Sequence, residues 1–170
     1  MKRLLIGVSI LMMMPFIGCE DKDSDKVNSI VINEVTTDNV NDGPYYYHFE
    51  NGKVDSSSWH LSYRNLDAGG GKYMPSFSLN SNVMVGIFNS ITFDQIETSP
   101  DAEIFSPSSG RLSYGGANAV LNYDMVTHKI SVSDDNYVIY CTITHKVYKL
   151  HFDEYSSGVV MFRYAELDAK

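Results

Sequence analysis

Five histidines, eight methionines, two cysteines and the adjacent acids Asp134-Asp135 and Asp153-Glu154 are the residues of this 170-residue sequence best suited to hold a metal or catalyse a reaction. Their spacing builds no hydrolytic or redox centre. The histidines stand at 48, 60, 128, 145 and 151 without ligand spacing. There is no His-Glu-x-x-His, no Cys-x-x-Cys, no nucleophile elbow and no glycine motif that would cradle phosphate between a strand and a helix. Asp134-Asp135 and Asp153-Glu154 are neighbours, and neighbours in a strand point to opposite faces, so neither pair can flank one bond. Both read as solvated turn and edge residues. His48 shares a strand face with Glu50, His151 shares one with Lys149 and Asp153, and His145 falls in a turn; exposed strand faces account for all three. A glycan hydrolase or esterase needs paired carboxylates or a nucleophile with a base, and neither can be placed, so the chain is not expected to be an enzyme.

The elements that would position such residues are strands. Tyr45, Tyr47 and Phe49 alternate with Tyr46, His48 and Glu50, and the chain then turns at Asn51-Gly52, a strong hairpin signal. Trp59, Leu61 and Tyr63 fall on one face, with His60, Ser62 and Arg64 on the other. Residues 83–88 are a continuous apolar run, readable as a fully buried strand, and 119–123 gives a further short one. Ile139, Cys141 and Ile143 alternate with Val138, Tyr140 and Thr142. After Thr144-His145 the chain resumes with Tyr148, Leu150 and Phe152 facing away from Val147, Lys149 and His151, and 159–164 supplies a last strand. No window shows a helical stripe, and β-branched and aromatic residues dominate every apolar segment. The expected fold is all-β, an antiparallel β-sandwich or curled sheet. Residues 68–71 and 106–110, with Gly115-Gly116, read as loops, and no internal repeat is evident.

The first residues are an address. Lys2 and Arg3 precede a 14-residue apolar run at 4–17, closed by Gly18-Cys19, the layout of a secretory signal ending in a lipobox. The run is shorter than the roughly 20 residues a membrane span requires. The expected organisation is a signal peptide at 1–18, an acidic tether at 19–26 beginning at the lipidated Cys19, and one domain at 27–170. Removing residues 1–18 leaves 11 of the 13 basic side chains against all 21 acidic ones, a formal charge of −10. An acidic chain without a basic run is no partner for nucleic acid. With Cys19 acylated, Cys141 has no partner and reads as a small buried hydrophobe.

The C-terminal third carries a resemblance. Tyr137-Val138-Ile139-Tyr140, the hairpin after it, Tyr148-Lys149-Leu150-His151-Phe152, Tyr155, Gly158 and Met161-Phe162-Arg163-Tyr164 resemble the ending of the HmuY family, haem-binding lipoproteins of the Bacteroidota. Tyr45-Tyr46-Tyr47-His48-Phe49, Gly52-Lys53-Val54, Ser58-Trp59-His60-Leu61-Ser62-Tyr63-Arg64 and Phe93-Asp94-Gln95-Ile96 with Pro100 extend the likeness, which covers about 27–66, 88–101 and 119–167. The family usually has Trp-Asp where this chain has Trp59-His60. The resemblance implies a lipoprotein anchored in the outer membrane at the cell surface, binding haem for iron acquisition and working with a TonB-dependent receptor. The acidic run after Cys19 also resembles the surface-export signal of such lipoproteins.

Family members hold the iron through two axial side chains, and imidazole, thioether and phenolate all serve haem iron. By position after Leu121-Asn122-Tyr123, the resemblance makes Met125 the first axial candidate, with His128 as its substitute. The second ligand of the family comes from a longer segment; here that segment is 101–118, with neither His nor Met. Tyr114 is its one side chain with haem-ligand chemistry, and Met74, placed in a glycine-rich loop, and Met84 are alternatives. For Met84, between Val83 and Val85, core packing is the better reading. The short segment also motivates a different function, a lipoprotein of the same fold that carries no haem and acts as a protein-interaction module at the outer membrane.

Overall fold

The computed structural model describes residues 30–107, 112 and 119–168. The signal segment, Cys19 and the tether at 19–26 lie outside the described residues. Alternation sets the strands in chain order: β1 (Asn33–Thr36), β2 (Tyr45–His48), β3 (Lys53–Val54), β4 (Leu61–Asp67), β5 (Tyr73–Leu79), β6 (Val83–Phe88), β7 (Ser106–Pro107), β8 (Leu121–Asp124), β9 (Lys129–Val132), β10 (Asn136–Cys141), β11 (Val147–Ser156) and β12 (Val159–Leu167). One 3-10 turn, Ala102–Ile104, precedes β7. The strand ladders are antiparallel and form a six-stranded sheet ordered β1-β12-β11-β10-β6-β7, a four-stranded sheet ordered β3-β2-β4-β5, and the separate hairpin β8-β9. The fold is all-β and antiparallel, as the alternation requires.

The inner faces of the two larger sheets share one aromatic core. Tyr45, Tyr47, Phe49, Leu61, Tyr63 and Phe77 from the smaller sheet meet Tyr137, Ile139, Tyr148, Leu150, Phe152, Phe162 and Tyr164 from the larger. Phe77 and Phe152 stand 4.7 Å apart across the interface, and Tyr47 meets the edge of Phe162 at 5.5 Å. Burying each such side chain contributes roughly 1.5–3 kcal/mol, so these faces hold the sandwich together. Cys141 is buried among them, its thiol pushed up to about 12 by desolvation.

The outer face of the larger sheet is covered as well. Residues 89–105 cross it, packing Ile91, Ile96 and Phe105 near Val138, Val147 and Leu167. Lys149, 2% exposed, donates from Nζ to the Phe93 carbonyl at 3.0 Å and sits 4.4 Å from the Phe93 ring centre, with Arg163 at 4.9 Å from the same ring. Burial pulls the Lys149 ammonium below its ordinary range, opposed by Asp94 and Glu97. Gly86 makes the close approach possible: a Cβ there would lie 2.5 Å from Ile104 Cγ2, so a larger residue would have to displace the Ile104 side chain from β6.

Several placements differ from the sequence reading. Met74 lies on β5, paired in register with Leu66, because the strand begins at Tyr73, one residue past the glycines. Trp59 precedes β4 and packs on Tyr46 at 5.5 Å, so the alternation that joins Leu61 and Tyr63 does not reach it. His48 is 7% exposed and not on a solvated face, because His60 covers it. Met84 faces away from the core that holds Val83 and Val85. The strands β1, β5 and β9 go beyond the sequence reading, their burial patterns alternating too little or with too few apolar residues to stand out, and so does β7, since Ser106–Pro107, read as the start of a loop, pairs with β6. Asp153-Glu154 does lie at a local edge, where β11 outruns β10 beyond the Asn136–His151 pair.

Candidate functional site

The β8-β9 hairpin carries the first axial candidates. Asp124 and Lys129 pair across a four-residue turn holding Met125, Val126, Thr127 and His128. The Asp124 carboxylate accepts from the Val126 and Thr127 N–H groups at 2.7 and 3.0 Å, and these bonds, that of Thr127 foremost, hold its carboxyl below the ordinary range. His128 closes the turn at φ +56°, with its N–H donating to the Asp124 carbonyl at 2.9 Å and its Nδ1 bonded to the Tyr123 hydroxyl. Met125 and Val126 are left 79% and 87% exposed at the tip.

The β10-β11 hairpin repeats this arrangement at its tip. Tyr123-Asp124-Met125-Val126-Thr127-His128-Lys129 and Tyr140-Cys141-Thr142-Ile143-Thr144-His145-Lys146 share Tyr, an aliphatic residue, Thr, His and Lys at equal spacing. His145 closes its turn at φ +60°, its N–H donates to the Cys141 carbonyl at 2.8 Å, and its Nδ1 bonds the Tyr140 hydroxyl. In both tips the tyrosine and histidine ring centres are 5.9 Å apart. Ile143, the counterpart of Val126, is 71% exposed. The likeness is confined to these seven residues, and the strands that carry them sit in different sheets.

The chemical consequence lies in the imidazoles. A phenol can donate or accept, so each tip histidine can place its proton on Nδ1, give it to the tyrosine oxygen, and leave the Nε2 lone pair for a metal. The buried pair is different. His48 and His60 pack with ring centres 4.1 Å apart and planes tilted by 39°, and their Nδ1 atoms accept from the Asn51 and Phe49 N–H groups respectively, each at 3.3 Å. A backbone N–H can only donate, so both Nδ1 atoms must be acceptors and both Nε2 atoms carry the proton. Burial, then the neighbouring His48, lowers His60 to about 4, with Glu50 opposing. This pair is structural and offers no lone pair to iron.

A cleft of about 470 Å³ opens beside the second tip. Met84, Tyr140 and Val147 are register partners on three adjacent strands and form its floor. Phe105, 5.6 Å from Tyr140 between ring centres, and residues 99–102 form one wall, and His145 stands at the rim. Two other cavities, of about 640 and 410 Å³, are lined by the 40–46 and 64–73 segments and by the 89–93 segment with Asn136, His151 and Arg163.

Met125 and His128 therefore share one turn, Met74 stands on the edge strand of the other sheet, and Tyr114 lies outside the described residues. None of the three cavities is lined by Met125, His128 or Met74. Sequence reasoning missed His145 as a ligand candidate; the signal was the shared Tyr-x-x-aliphatic-Thr-His-Lys spacing. Among the described residues no three His, Cys, Asp or Glu side chains converge to hold a bare metal ion. No protein-family model, curated protein or solved structure matches the chain.

Proposed function

We propose that this protein is a lipoprotein, anchored in the outer membrane at the cell surface, that binds haem and passes it to a TonB-dependent receptor. The observation that supports this reading is the duplicated tip, in which His128 and His145 are each closed into a turn by a tyrosine hydroxyl on Nδ1. One or two protein donors suffice for iron that arrives with its equatorial nitrogens already in a macrocycle. Imidazole and thioether are both donors that haem iron accepts. When bound, the haem supplies the iron; the chain's own residues hold, orient and shield it. Haemin added to the protein should saturate at one per chain with a shifted Soret band. A spectrum of free haemin at every ratio would remove the reading.

Met125, Val126 and Ile143, exposed together on two tips, favour one alternative. Apolar residues held out on ordered turns are suited to protein contact, so a haem-free interaction module at the outer membrane is the second reading. Recovery of one defined membrane protein by crosslinking through position 126 or 143, without haem, would select it.

A further inference from the structure

We propose that haem seats in the cleft between the 3-10 turn and the β10-β11 tip, with His145 Nε2 as an iron ligand, Tyr140 as its positioning residue, and Met84 and Phe105 against the macrocycle. This rests on the reading above that the chain takes haem, and it moves the site away from Met125 and His128.

Both tips prepare an imidazole in the same way, and what separates them is what surrounds it. His145 borders the 470 Å³ cleft, within the size range of small-molecule sites, whereas His128 lines none of the three cavities. Met84, Phe105, Tyr140 and Val147 give the cleft beside His145 a thioether, a phenyl, a phenol and an isopropyl group, surfaces that flat ring systems occupy, while Ser99 and Asp101 add a hydroxyl and a carboxylate on the wall formed by residues 99–102.

Rigidity points the same way. Tyr140 stands on β10, which is paired on both sides by β6 and β11, so its hydroxyl is fixed relative to the cleft floor. Tyr123 stands on a two-stranded hairpin, a less constrained support. The β10-β11 tip is also tied to the β5-β6 turn, since the Thr142 N–H and hydroxyl both donate to the Asn82 carbonyl at 2.9 Å. The bonds described at the first tip, from Asp124 and between Tyr123 and His128, all lie within its own hairpin. The opposite wall is set by Gly86, which lets Ile104 settle on the sheet and carries Phe105 over Tyr140.

The test is a haemin titration of the full chain, read by absorbance, with His145→Gly, Tyr140→Phe, Met125→Ala and His128→Gly compared. Glycine suits the positive φ of both histidines, so the turns are kept. Circular dichroism confirms that each variant folds. The expected result is that His145→Gly loses the shifted Soret band and that added free imidazole restores it in the emptied slot. Tyr140→Phe should weaken haemin about 10- to 100-fold, the usual cost of removing the partner that orients a ligating imidazole. Met125→Ala and His128→Gly should bind as the unaltered chain does. Haemin binding that survives His145→Gly, or is lost in Met125→Ala or His128→Gly, overturns this placement and leaves the haem reading standing. Absence of saturable binding in the unaltered chain overturns both.

Discussion

The buried histidine pair and the two histidine-tipped hairpins use the same side chain under opposite constraints. At His48 and His60 the partner of Nδ1 is a backbone N–H, whose role is fixed, and both rings are at least nine-tenths buried. At His128 and His145 the partner is a tyrosine hydroxyl, whose role is free, and both rings are exposed. The difference teaches that the donor opposite one ring nitrogen decides what the other can do. The first pair is committed to packing, and the second remains open to a ligand.

The largest effect expected from this contrast is on acid stability. His60 is held at about 4 in the folded chain against an ordinary value of 6.5, so the unfolded chain takes up the proton first. Its stabilisation is complete above about pH 6.5, falls as pH drops, and is gone near pH 4, a change on the order of 3 kcal/mol. Urea denaturation across that range should show the fall, and His60→Gln should flatten it while His128→Asn and His145→Asn leave it intact. An unchanged slope in His60→Gln would break the assignment of the buried pair.

A smaller effect tests the same pair at neutral pH. His48→Ala leaves the Asn51 N–H without its acceptor and opens space beside His60, which should cost about 1–3 kcal/mol in chemical denaturation. With the neighbouring ring gone, His60 should titrate closer to 6.5 and the acid-induced fall should become shallower.

The smallest effect belongs to the tips. His128→Asn and His145→Asn keep a residue that tolerates the left-handed region, so stability at pH 7 should move by no more than about 0.5 kcal/mol. Long-range nitrogen–proton correlation spectra sharpen the comparison without any mutation. They should show His48 and His60 purely as Nε2–H tautomers, whereas Tyr123→Phe and Tyr140→Phe should shift the tautomer balance of His128 and His145 respectively. A fixed balance at the tips would mean that the hydroxyls do not govern it.

Much of the fold is legible in the sequence because a strand's side chains alternate. Tyr45, Tyr47 and Phe49, and likewise Tyr148, Leu150 and Phe152, announce a buried face, and each lies in the core. Met84 and Val138 are harder to read, since β6 and β10 are covered on both faces and alternation then loses its contrast. His48 reads as solvated beside Glu50 because nothing in the local pattern shows that His60, twelve residues on, will pack over it. Of the candidate site, Met125 and His128 are found by resemblance and do fall in one turn. His145 reads as a plain turn residue because the cleft beside it is made by Met84 and Phe105, far away in sequence.

The all-β class, the antiparallel hairpins and the buried faces of Tyr45, Tyr47 and Phe49 and of Tyr148, Leu150 and Phe152 follow from period-two patterning and local turn chemistry. Long-range packing settles the rest: residues 89–105 cover the second face of the larger sheet, a backbone N–H stands opposite His48 and His60 and a phenol opposite His128 and His145, and one of the two matching tips borders the 470 Å³ cleft. The physical reason is range. Alternation and turns are set by neighbours along the chain, whereas a cleft and a tautomer are set by whichever groups long-range packing brings to the same place.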